Sequence, residues 1–80
     1  MRILPEQCRA ARALLGISQE ELARLSGVSR PAIAEFERGA TTPHPRTLRD
    51  LAEALEAQGV RLVETETETG AVLRRTPPTA

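Results

Sequence analysis

Apolar residues recur at helical spacing through residue 59, and after that the pattern changes to short β-branched runs. The first periodic run extends from about Pro5 to Leu15 and puts Leu4, Cys8, Ala11 and Leu15 on one face. Pro5 suits a first helical turn, and Gly16 suits the left-handed residue that closes the last one. The second run opens on Ser18-Gln19-Glu20-Glu21, a capping box in which Ser18 accepts from the Glu21 amide and the Glu21 carboxylate reaches back. Ile17 and Leu22 add a hydrophobic staple. This helix stops near Ser26, because Gly27 supplies a positive φ and Ser29 is placed to cap another helix three residues later. Helices joined so closely must cross steeply. The third run, Arg30 to Arg38, turns Ile33 and Phe36 inward, tolerates Pro31 in its first turn and ends at Gly39. The fourth starts at Pro45, buries Leu48, Leu51, Ala52 and Leu55 at i, i+3, i+4 and i+7, and ends at Gly59. Residues 1–59 are therefore expected to form one all-helical unit.

Val60-Arg61-Leu62-Val63 and Ala71-Val72-Leu73-Arg74 flank an alternating Glu-Thr segment that closes on Gly70. This pattern predicts a β-hairpin with a loose tip over 60–75, its register left open. A lone two-stranded ribbon is marginal in water, so it must pack on the helices or pair with a second chain. Leu62, Val63, Val72 and Leu73 are the residues expected to carry dimerisation. Residues 76–80, with Pro77-Pro78, are expected to be a disordered tail. The fold class is mainly α: four helices followed by a short C-terminal β-hairpin or strand pair.

Eighty residues fit one small domain with a marginal core, which a second subunit would stabilise. No stretch approaches the roughly 20 apolar residues that span a bilayer, and no apolar region follows Arg2 as a signal peptide requires. A cytoplasmic protein with no membrane partner is expected. One cysteine and one histidine, Cys8 and His44, make neither a disulfide nor a metal site, so no metal or cofactor is expected. Cys8 reads more simply as a small buried hydrophobe than as a redox switch. His44, between two prolines, reads as a helix-start loop residue, with a phosphate contact as the sharper alternative. No nucleophile–base pair or phosphate-cradling glycine loop is present, so an enzyme is not expected.

Eleven arginines, no lysine and eleven carboxylates sum to zero net charge, which argues against easy nucleic-acid binding. The distribution changes that picture. Residues 1–50 hold eight arginines against six acids, and residues 51–80 hold three against five. The helical part is mildly basic and the tail mildly acidic. Weak non-specific attraction to phosphates is expected, with specificity resting on base contacts and dimer geometry.

Two helices joined by Ser26-Gly27-Val28-Ser29 form a helix-turn-helix unit, whose second helix can lie in a DNA major groove. From Arg12 to Leu55 the chain resembles the lambda-repressor-like family, the Cro- or Xre-type helix-turn-helix domains. The resemblance rests on Arg12-Ala13-Leu14-Leu15-Gly16-Ile17-Ser18-Gln19-Glu20-Glu21-Leu22-Ala23, Ser26 to Arg30, Ile33, Phe36-Glu37-Arg38-Gly39, and Pro43 with Leu48 to Leu55, without gaps. It implies a DNA-binding transcriptional repressor or autoregulator that binds double-stranded DNA as a homodimer on an inverted repeat. It also implies that Arg30 to Arg38 is the recognition helix.

In that reading Ser29, Arg30, Ala32 and Glu35 contact bases. Arg30 would reach guanine O6 and N7, Ala32, on the same side one turn along, would meet a thymine methyl, and Glu35 would accept from cytosine N4. Gln19, Arg38, Thr41, Thr42 and Arg46 would contact phosphates, Gln19 at the amino end of its helix. Arg12 and Glu37 resemble the family's inward-facing ion pair between the first and third helices. Pro31 departs from the polar residue often found there and removes one hydrogen bond. The alternative function is an antitoxin or anti-activator that binds a partner protein through the acidic C-terminal part.

Overall fold

In the computed structural model, which describes residues 2–75, four helices and two strands follow in chain order. They are α1 Pro5–Leu15, α2 Gln19–Ser26, α3 Arg30–Glu37, α4 Pro45–Ala57, β1 Val60–Glu64 and β2 Thr69–Leu73. Local signals start and stop each helix. The Leu4 amide donates to Gln7 Oε1 at 2.9 Å, and α1 ends on Gly16 at φ 69°. Ser18 Oγ accepts from the Glu21 amide at 3.0 Å. The return half of that capping box does not form, because the Glu21 carboxylate takes Arg24 Nη2 one turn on. A charge-assisted bond is stronger there than one from a neutral amide.

Gly27, at φ 77°, closes α2 by donating to the Ala23 carbonyl at 2.9 Å. Ser26 Oγ then accepts from Val28, and Ser29 Oγ caps α3 by accepting from Ala32 at 3.3 Å. Helix α3 is one residue shorter than its pattern predicts. Arg38 is the cap, and Gly39 and Ala40 donate back to the Phe36 and Glu35 carbonyls, both at 2.9 Å.

One core joins helices and hairpin. Ile3, Cys8, Ala11, Leu22, Ile33 and Phe36 pack with Leu48, Leu51, Ala52 and Leu55, and Val60 and Leu62 complete the same cluster. Through Val60 and Leu62 the first strand thus contributes to the helical core. Leu62 is only 7% exposed, which corrects its expected place on a dimer surface: it is occupied by its own chain. Val63 is half-buried, whereas Val72 and Leu73 are 44% and 38% exposed.

β1 and β2 run antiparallel from Val60↔Leu73 to Glu64↔Thr69. Period-2 alternation sends Val60 and Leu62 inward and Arg61 and Val63 outward, and it fixes the register, since a one-residue slip would expose both buried residues. Hydrogen bonds close the tip, which the pattern predicts to be loose. Thr65 N–H donates to the Glu68 carbonyl at 2.7 Å, while Thr65 Oγ1 accepts from the Glu68 and Thr67 amides at 2.9 and 3.3 Å. The tail expected to be disordered, 76–80, lies outside the described residues.

Candidate nucleic-acid interface

Helix α3 has two unlike faces. Ile33, Phe36 and Glu37 are buried against the rest of the domain, while Arg30, Pro31, Glu35 and Arg38 are exposed. At about 100° per residue the buried three occupy one side of the helix and Pro31, Glu35 and Arg38 the opposite side, while Arg30, only about 20° around from Glu37, is exposed at the first residue of the helix. Ala32 lies about 200° around from Arg30 and is half-buried beside Glu35. It does not share the Arg30 side, because two residues along a helix are on nearly opposite faces. Ser29 is exposed, and its hydroxyl accepts from the Ala32 amide.

The loop after α3 carries Thr41 and Thr42, and Arg46 follows in the first turn of α4; all three are exposed. His44 caps α4, its Nδ1 accepting from the Arg46 amide at 3.0 Å, so the histidine has a structural task at that helix start.

What positions α3 is a buried polar centre around Glu37. Arg12 Nε donates to Glu37 Oε2 and Arg12 Nη2 to Oε1, each at 2.7 Å. Cys8 Sγ donates to Oε2 at 3.1 Å, and Gln19 Nε2 donates to Oε1 at 3.1 Å. Arg9 Nη1 donates to the Glu37 backbone carbonyl. Three elements, α1, α2 and α3, therefore meet at one carboxylate. Gln19, expected against a phosphate, has its side-chain amide on Glu37 instead; its place at the first turn of α2 is as the pattern predicts.

Glu37 is 3% exposed, and burial opposes its charge. Hydrogen bonds from Arg12, Gln19 and Cys8, with the Arg12 charge, outweigh that and hold its carboxyl below the usual range. The bond to Glu37 in turn raises the Arg12 guanidinium, against the effect of burial. Burial first, then the bond to Glu37 and its negative charge, push the Cys8 thiol far above its ordinary value. Cys8 is thus a protonated donor in the interior.

Sequence reading missed Gln7, Arg9 and the polar role of Cys8. Gln7 is fully buried on α1, and its Nε2 donates to the carbonyls of Val63 at 2.8 Å and Gly70 at 3.1 Å. A polar residue one position before Cys8 in the apolar stripe was the available signal. Arg9 carried none.

A family model described as helix-turn-helix matches residues 9–58. The chain belongs to the Cro/C1-type helix-turn-helix family. An HTH-type transcriptional regulator of Haemophilus influenzae is 51% identical over 41 residues, which are 51% of this chain and 42% of that protein. One from Sinorhizobium fredii is 41% identical over 54 residues, covering 68% of this chain and 70% of the relative. Among solved structures, the DNA-binding domain of the P22 c2 repressor matches with a TM-score of 0.61 at 38% identity, over 70% of this chain and 75% of that one. This helix-turn-helix chain spans less than half the length of the Haemophilus relative. The matched residues end at 58, so the hairpin lies beyond the family pattern.

Among the described residues no group of His, Cys, Asp and Glu side chains is arranged to hold a metal, and no helix is long and apolar enough to cross a membrane.

Proposed function

We propose that this helix-turn-helix chain is a sequence-specific transcriptional regulator, a repressor or autoregulator, that lays α3 in the major groove of double-stranded DNA. The observation that carries the reading is the division of α3, with Ile33, Phe36 and Glu37 locked inward while Arg30 and Glu35 stand free. A helix held that firmly presents its outer side chains at low entropic cost. Arg30 is the guanine reader and Glu35 the cytosine reader; Arg38, Thr41, Thr42 and Arg46 take phosphates. The protein acts as a homodimer, so that half-sites lie about 34–36 Å apart on an inverted repeat. It is a cytoplasmic binding module and not an enzyme, and the reading calls for no cofactor.

Selection of bound sites from random duplexes, followed by footprinting, tests this reading. The expected result is a palindromic site whose protection requires Arg30. An Arg30→Ala variant that stays folded should lose about 1–3 kcal/mol of discrimination at one base pair of each half-site. Wild-type protection by that variant removes Arg30 from base reading, and a chain with no salt-sensitive duplex affinity overturns the DNA reading.

The second reading, an antitoxin or anti-activator occupying a partner protein, is favoured by Glu64, Glu66 and Glu68 around the exposed hairpin tip. Retention of duplex binding after the three glutamates are neutralised, with loss of a protein partner, would support it.

A further inference from the structure

The last four carbonyls of α3 are all taken, three of them by the residues that follow and one by another helix. Arg38, Ala40 and Gly39 donate to the Ala34, Glu35 and Phe36 carbonyls, and the Glu37 carbonyl accepts from Arg9 Nη1 of α1. A helix C-terminus carries roughly half a negative charge. A phosphate that approaches Arg38, Thr41 or Thr42, the next residues along the chain, meets that charge unless a cation covers it. Arg9 is such a cation.

Arg9 is exposed, so its guanidinium is docked on α3 through one N–H and open to solvent elsewhere. Among the described residues it forms no ion pair and no other hydrogen bond, which leaves the rest of its donors unused. Glu6, one turn earlier on α1, is not bonded to it. Arg12, one turn later, is occupied by both Glu37 oxygens and the Ile17 carbonyl. Arg2, just ahead of α1, is also exposed and lines one cleft with Gly39, Thr41 and Thr42. No carboxylate lines that cleft among the described residues, and Arg2 has no ion pair there.

We propose that α1 is a second phosphate-binding element, in which Arg9 and Arg2 take backbone phosphates of the DNA strand that meets the loop after α3. This inference rests on the DNA reading above and adds two contacts to it. The bond to the Glu37 carbonyl holds the Arg9 guanidinium in place before DNA arrives, so less side-chain freedom is lost on binding. A phosphate suits the free side of the fork, which can hold two of its oxygens at once. Such contacts fix the position of the protein on the duplex and read no sequence.

The test is the salt dependence of duplex binding by the full chain, followed by fluorescence anisotropy on the site selected from random duplexes and on a scrambled one. Wild type, R9Q, R2Q and R9K are compared, and thermal melts check that each is folded. R9Q and R2Q should each reduce the slope of log K against log salt by about 0.9 for every phosphate contact removed. Each should also weaken the selected and the scrambled duplex by the same factor. R9K keeps the charge and should keep the wild-type slope. If Arg9 only fastens α1 to α3, R9Q melts at lower temperature with an unchanged slope, and its phosphate role is overturned. Unchanged slopes in both R9Q and R2Q overturn the proposal as a whole and leave the α3 reading standing. Weakening confined to the selected site overturns it as well, because that pattern belongs to base reading. A wild-type chain with no salt-sensitive duplex affinity overturns the DNA reading itself.

Discussion

Arg12 holds Glu37 through two parallel hydrogen bonds of 2.7 Å and so fastens α1 to α3, the helix whose outer face is free. The two partners are unequally buried, with side-chain exposures of 20% for Arg12 and 3% for Glu37. Removing the arginine strands the carboxylate more than removing the carboxylate strands the arginine.

Arg12→Ala should therefore lower the unfolding free energy by about 3–5 kcal/mol. Replacing both partners with methionine should cost less than Arg12→Ala alone, because no charge is then left buried without its partner. Urea denaturation followed by circular dichroism checks both. A double variant less stable than Arg12→Ala would show that the pair itself, and not the orphaned charge, sets the cost.

Stability should be highest between about pH 5 and 8 and decline on both sides for different reasons. The folded carboxyl of Glu37 lies below its unfolded value of about 4.3, so its contribution is complete above that value and is lost as pH falls toward the folded one. The folded thiol of Cys8 lies above its unfolded value of about 8.5, so its contribution is complete below that value and is lost as pH rises beyond it. Thermal melts across pH should show E37Q flattening the acid side and Cys8→Ala flattening the alkaline side. Unchanged slopes in either variant would assign that side to other groups.

Gln7 ties the hairpin to α1. Residues 63 and 70 are a cross-strand pair, and their carbonyls accept from the same side-chain amide. Gln7→Leu should cost about 1–3 kcal/mol, since it leaves the Leu4 amide without its acceptor. Gln7→Glu should cost more at neutral pH, because a carboxylate would face two carbonyl oxygens inside the core. Hydrogen exchange should quicken in β1 and β2 before it does in α2 and α3. Uniform quickening would mean that Gln7 supports the whole domain and not the hairpin in particular.

The candidate interface was legible in the sequence to the extent that it is local. Glu35 is exposed because it lies about 200° around the helix from Ile33, which packs inward, and Arg30 because it is the first residue of the helix. Gln19 was less legible: the amino end of a helix attracts an anion, and the one it meets in this chain is Glu37 of α3. Ala32 was misplaced because two residues along a helix span about 200°.

Sequence alone determined where the helices begin and end, since Ser18, Gly27, Ser29 and Pro45 act on backbone groups within one turn of themselves. It also determined the antiparallel hairpin, through the two short β-branched runs. Only the tertiary structure decided that Leu62 enters the helical core, and that Cys8, Arg9, Arg12 and Gln19 converge on Glu37. Only it joined Gln7 to carbonyls 56 and 63 residues away. The reason is physical. A cap or a turn is satisfied by neighbours in sequence, whereas a buried polar side chain must be satisfied by whichever element packs over it, and that is settled when the faces meet.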